Sequence, residues 1–254
     1  MSANTLTNAA SRRHDRSLMR GLRVGGLVPF TAIDYPGKLA AVVFVQGCPW
    51  RCRYCHNPHL QSREGDSIIA WDEVMAMLRR RVGLIDAVVF SGGEPTLDPA
   101  LPAAMTAVRE LGFAIGLHTA CIYPEKLALV LPLIDWIGFD VKTAFADYER
   151  ITGVRNSGDK AGGCVDLILA SGVEHECRTT IHPALMSERQ ILALATSLAE
   201  KGVRNYALQL VRTRVYADTL LPGIVGTQFP AAHTVQTIAA MFPRFTLRGS
   251  ELAA

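Results

Sequence analysis

The sequence predicts a single α/β domain, an incomplete (β/α)6 partial TIM barrel with a parallel sheet. Three observations lead there. Six short β-rich runs alternate strictly with longer runs whose apolar residues recur at helical spacing. No Pro- or Ser-rich linker, low-complexity stretch or internal repeat divides the chain. Apolar residues make up 49% of 254 positions, enough to fill one sizeable core. Strict alternation implies parallel strands joined by right-handed helical crossovers. Six units suit an arc better than a closed eightfold barrel. A doubly wound open sheet fits the same alternation and is the alternative architecture.

Residues 1–20 are polar and carry Arg12, Arg13, Arg16 and Arg20. This stretch lacks the apolar segment of a secretory signal and reads as a disordered leader rather than an organelle transit segment. The domain is expected to span 21–254. Its strands are expected at 40–45, 87–90, 113–117, 136–141, 174–181 and 206–211. The helices between them are expected at 71–82, 99–111, 124–133, 161–170, 187–201 and 232–241. Asp72 and Glu73 sit in the first turn of the first helix, where the dipole favours acids. Asp98 is a candidate N-cap of the second helix, and Gly112 stops it. Ser187 caps the fifth helix, which Gly202 ends. Residues 245–248 read as an edge strand or a tail.

Net charge is +3, and the chain shows no basic stripe of the kind that binds nucleic acid. No apolar run is long enough to span a membrane. Six cysteines in 254 residues are too sparse for a secreted disulfide scaffold. Three of them fall within eight residues, which points to metal ligands in a reducing, cytoplasmic setting. Cys121, Cys164 and Cys177 are scattered and read as small buried residues.

The chemistry is concentrated in Gln46–Pro58, QGCPWRCRYCHNP, where Cys48, Cys52 and Cys55 stand in C-x3-C-x2-C spacing. The loop follows the first predicted strand, and ligands gather at that end of parallel α/β sheets. Three thiolates can each hold one iron of a cubane, leaving the fourth iron open to a small ligand. Structural zinc prefers four ligands in spaced pairs, and His56 and His59 lie too close to Cys55 to complete such a set. This spacing, with aromatic Tyr54 just before the last cysteine, resembles the signature of the radical S-adenosylmethionine (SAM) superfamily. The resemblance covers residues from about 25 to 211.

It implies one [4Fe–4S] cluster on Cys48, Cys52 and Cys55, with SAM as the second cofactor and Tyr54 packed near its adenine. Gly92, Gly93 and Glu94, within Ser91–Pro95, would meet the methionine amino group, largely through main-chain oxygens. On sequence alone, these glycines are equally a plain turn that lets something approach the backbone. Asp140 and Lys142 project to one side of their strand. Read without the resemblance they are a surface ion pair; with it, they are a pair that contacts SAM. Arg178 is a charged residue inside an apolar strand and would face the SAM carboxylate. His118 stands where many activating enzymes carry Asp, and His182 is a further candidate cofactor-binding residue, although a lone histidine is more often structural. Gln209 and Arg212 are weaker candidates.

The opening segment 25–38, together with CHNP and RTTIHP, resembles activating proteins of anaerobic ribonucleoside-triphosphate reductase. Such proteins use SAM and a flavodoxin or ferredoxin donor to place a radical on a glycine of a partner enzyme. No acid, base or nucleophile is required, because the cofactors carry the chemistry. Alternatives are an activating enzyme for pyruvate formate-lyase or another glycyl-radical enzyme, a small-molecule enzyme such as a deazaguanine synthase, and a non-enzymatic iron–sulfur or zinc module that senses redox state. The GGEP and Asp-x-Lys segments would have no role in that last class.

Overall fold

The computed structural model describes residues 21–64, 69–211, 221–222 and 229–249. The expected leader at 1–20 and Arg212 lie outside these residues. Among the described residues eight strands form one sheet in sequential order. They are β1 (Val24–Thr31), β2 (Ala40–Val45), β3 (Ala87–Gly92), β4 (Ala114–Thr119), β5 (Trp136–Asp140), β6 (Glu174–Ile181), β7 (Asn205–Leu210) and β8 (Arg244–Arg248). The helices are α1 (Trp71–Arg79), α2 (Leu101–Glu110), α3 (Pro124–Val130), α4 (Tyr148–Thr152), α5 (Ser157–Ser171), α6 (Glu188–Glu200) and α7 (Ala232–Ala239).

The six predicted strands are β2 to β7, and every pair from β2 to β8 is parallel. The sequential order has no reversal point, which removes the doubly wound alternative. β1 and β8 end the sheet, so the barrel is an open arc. β1 was not legible as a strand: its sequence VGGLVPFT holds two glycines and a proline, and it becomes a strand by pairing antiparallel with β2. β8 settles the alternatives for 245–248 in favour of an edge strand, pairing parallel to β7.

Local signals set the helix ends. Ser187 caps α6 through a reciprocal box with Gln190. Asp98 is not the N-cap of α2, which begins at Leu101 behind Ala100; its Oδ1 instead accepts from Ala100 N–H at 3.0 Å in the turn that leads in. Among the described residues no helix is long and apolar enough to cross a membrane.

Outward strand residues and helix faces, such as Val74 and Leu78 of α1 and Ile191, Leu194 and Leu198 of α6, form the main core. Inside the arc a second cluster, Tyr35, Ala40, Val42, Ala87, Val89 and Trp136, closes the end where the parallel strands begin. The Tyr35 and Trp136 rings lie 5.2 Å apart. The other end of the arc stays open and polar.

Candidate active site

Backbone bonds hold the cysteine loop at both ends. Gly47, at φ +107°, turns the chain out of β2. Its N–H donates to Leu60 O at 2.8 Å, and Cys48 N–H donates to Gln61 O at 3.0 Å. The buried Gln46 Nε2 donates to His59 O and Ser62 O, tying the returning segment down. Arg51 N–H donates to Thr152 O at the end of α4. All six cysteines are free. Cys121, Cys164 and Cys177 are fully buried, as expected. Burial, reinforced by Glu94, pushes the Cys48 thiol up to about 12. Burial also raises Cys52, against the pull of Lys142. Such thiols stay protonated until a metal supplies the opposing charge.

The end of β3 packs against this loop. A Cβ on Gly92 (φ +119°) would stand 2.4 Å from Val45 N, and one on Gly93 would stand 2.3 Å from Gly47 O. What approaches these glycines closely is therefore the neighbouring backbone, while their free edges line the cavity. Glu94 does not line it. Its buried carboxylate accepts from Thr96 N–H at 3.1 Å, Thr119 Oγ1 at 2.9 Å and Ala120 N–H at 2.8 Å. It buckles the ends of β3 and β4 together.

Opposite the glycines, Lys142 Nζ lies 3.1 Å from Asp140 Oδ2 and 5.7 Å from the Tyr54 ring centre. Lys142 is 6% exposed, so this is a pair within the cavity wall and not a surface bridge. Burial favours the neutral amine, but Asp140, with Tyr54 and Cys52, outweighs it and holds Lys142 well above its ordinary value. The Tyr54 ring is buried, and its hydroxyl has no partner among the described residues.

Two residues further down the strands lies a second inward layer. Register places His118 beside Gly138, and Gly138 beside Glu176. Arg178 belongs to the Asp140 row but folds downward. Its Nε donates to Glu176 Oε1 at 2.7 Å, and its guanidinium lies 5.3 Å from the Trp136 ring centre. Facing the SAM carboxylate, as the sequence suggested, would require it to swing up from Glu176. Glu176 also takes both terminal nitrogens of Arg248 at 2.8 Å. Burial alone would raise its carboxyl; Arg248 and Arg178 outweigh burial and lower it. His118 places Nε2 2.9 Å from Asp34 O, an acceptor that assigns the ring proton to Nε2. Burial and then Arg178 keep His118 well below the usual histidine range, hence neutral.

One cavity of about 590 Å³ joins these groups, lined among others by Cys48, Cys52, Cys55, Tyr54, Lys142 and His118. His182 stays outside it, fastened by its ring nitrogens to Pro222 O at 2.9 Å and Ala184 N–H at 3.1 Å. Asp34, Trp50, Thr180 and Arg248 line the cavity without a local signal in the sequence. Gln209 lines it too, bonded to Thr180 Oγ1 at 2.7 Å.

The donor set fits an iron–sulfur cubane. Three free thiols come from one loop, yet among the described residues no three His, Cys, Asp or Glu side chains converge on a single-ion site. Mononuclear zinc needs that convergence, whereas a cubane takes one thiolate per iron. The glycine backbone edges and buried ammonium suit the amino-acid end of SAM.

An open α/β arc with three free thiols above a floored polar cavity defines a class of iron–sulfur enzymes, and the chain belongs to the radical SAM superfamily, whose model matches residues 42–189. Members of this family use a [4Fe–4S] cluster and SAM. Its relatives include a protein named as a glycyl-radical enzyme activating enzyme in Methanocaldococcus jannaschii, 34% identical over 73% of this chain and 78% of the relative. The pyruvate formate-lyase-activating enzyme of Clostridium pasteurianum is 30% identical over 72% of this chain and 78% of that one. The resemblance to activating enzymes drawn from the motifs thus recurs in these relatives. Among solved structures, SAM-bound SuiB of Streptococcus suis superposes with a TM-score of 0.61 at 17% identity, over 82% of this chain and 49% of SuiB. This chain therefore spans about half the length of SuiB, and the likeness concerns the fold.

Proposed function

We propose that this chain is a glycyl-radical activating enzyme whose partner is an anaerobic ribonucleoside-triphosphate reductase. The observation that carries the reading is the three free cysteines set on one loop directly above the cavity that holds Lys142, Asp140 and the glycine edges. When bound, the cluster and SAM would supply the one-electron reduction and hydrogen-atom abstraction that leave a radical on the partner's glycine. Cys48, Cys52 and Cys55 hold the cluster. The main chain at Gly92 and Gly93 faces the amino group of SAM, and the Lys142–Asp140 pair orients its polar atoms. Tyr54 packs beside the adenine, and Glu94 positions the strand ends that carry these groups. The floor of Tyr35 and Trp136 excludes water from below. The opening segment 25–38 and the RTTIHP run support the reductase over other partners. Flavodoxin or ferredoxin serves as donor, in the cytoplasm.

The test is anaerobic. The protein is reconstituted with iron and sulfide, reduced with dithionite and given SAM together with the reductase. 5′-Deoxyadenosine is then assayed alongside the glycyl-radical EPR signal. Both products are expected. Deoxyadenosine without the glycyl doublet would overturn the choice of partner. Neither product, from protein with a full cluster, would overturn the enzymatic reading.

A further inference from the structure

The lower layer of the cavity has a chemistry that cluster and SAM leave unused. His118 commits Nε2 to Asp34 O at 2.9 Å. Its Nδ1 makes no hydrogen bond among the described residues, and it is absent from their walled-off, unpartnered polar atoms. His118 lines the cavity, so Nδ1 opens into it as an acceptor. Arg178 spends Nε on Glu176, and its two terminal nitrogens make no hydrogen bond among the described residues. The layer therefore offers one free acceptor and one free donor pair.

Charge narrows the ligand. Around the cavity and its wall, Asp34, Asp140 and Glu176 face Lys142, Arg178 and Arg248, three carboxylates against three cations. Glu176 sits between both arginines, so neither is a bare cation awaiting an anion. A neutral ligand that both donates and accepts matches this layer, and a peptide group does both. Depth points the same way. Inward residues on a strand are two apart, about 7 Å, and His118, level with Gly138, lies that step below the row of Asp140 and Arg178.

We propose that His118 recognises the substrate backbone: its Nδ1 accepts the N–H of the target glycine while the terminal nitrogens of Arg178 donate to a neighbouring peptide carbonyl, making the lower layer a peptide subsite beneath the cofactors. The inference rests on the reading of the chain as a glycyl-radical activating enzyme and adds how that substrate is held.

The probes are a capped heptapeptide with a central glycine, taken from the reductase's radical loop, and the same peptide with N-methylglycine in place of that glycine. Binding to the reconstituted, SAM-loaded protein is read by fluorescence anisotropy for wild type and His118→Leu. Leucine carries no acceptor, so the Nδ1 hydrogen bond is gone, and the lost bond to the Asp34 carbonyl is common to both peptides. In wild type, N-methylation is expected to weaken binding about five- to tenfold, the worth of one hydrogen bond. In the variant the two peptides should bind alike, so the effects are non-additive. Wild type indifferent to methylation would overturn the proposal, whether or not the variant folds. Additive effects would also overturn it while leaving a peptide substrate in place. A SAM affinity, measured by calorimetry, that falls in the variant as far as peptide affinity would move His118 to the cofactor site. Wild type that binds neither peptide would remove the peptide substrate itself.

Discussion

Gly138 on β5 is the space that Arg178 on β6 occupies: a Cβ at 138 would stand 2.8 Å from the Arg178 Cζ. The guanidinium cannot retreat freely, because Glu176 holds its Nε and the Trp136 ring lies beneath it. Gly138→Ala is expected to destabilise the protein by about 2 kcal/mol, an overpacking cost, and to lower Tm by about 5 °C. The same substitution in an Arg178→Ala background should be nearly neutral. Equal losses in both backgrounds, by thermal denaturation, would refute the relationship.

Glu176 makes stability depend on acid. Its carboxyl titrates below the ordinary Glu value of 4.5 because the two arginines outweigh burial. A folded-state value below the unfolded one gives stability that is fully present above about pH 4.5 and is lost as pH falls through the lowered value. Glu176→Gln should cost about 2 kcal/mol at pH 7. Its urea midpoint should then fall less steeply than that of wild type between pH 5 and pH 3. Parallel pH profiles would exclude Glu176 as the source.

Cys52→Ala should abolish SAM cleavage and cluster content while the far-UV circular dichroism spectrum survives. Cys52 contributes a thiol on a backbone-braced loop, and Cys55 N–H donates to its carbonyl whatever the side chain. Full deoxyadenosine production by this variant would refute the cluster assignment.

Lys142→Ala should weaken SAM binding about tenfold or more, with iron content close to wild type. A buried charge-assisted contact is worth about 1.5–3 kcal/mol, and the loss also leaves Asp140 without its partner 3.1 Å away. SAM titration against measured iron per chain checks this. Unchanged affinity would take Lys142 out of the site.

The readings that agreed with the structure rest on local signals. Glu174–Ile181 was legible to its ends because β-branched and alternating residues run between two turns. Ser187 announced α6 through the capping box. Where the structure adds what no local signal carried, the reason is physical. β1 lacks strand propensity and is made by its pairing with β2. Glu94 sits in a cofactor motif, yet its carboxylate points at Thr119 and Ala120 on the next strand. His182 reads like a ligand until Pro222 and Ala184 take its nitrogens.

What the sequence determined by itself is the chemistry. Three thiols spaced C-x3-C-x2-C after a strand need no distant residue to form a ligand set, because eight residues of one loop contain it. Only the tertiary structure decided how the cavity is floored and charged. Asp34 meets His118 across 84 positions and Glu176 meets Arg248 across 72. Such meetings depend on the order and register of strands, which follow from burial summed over the whole sheet, and no short window of sequence carries that sum.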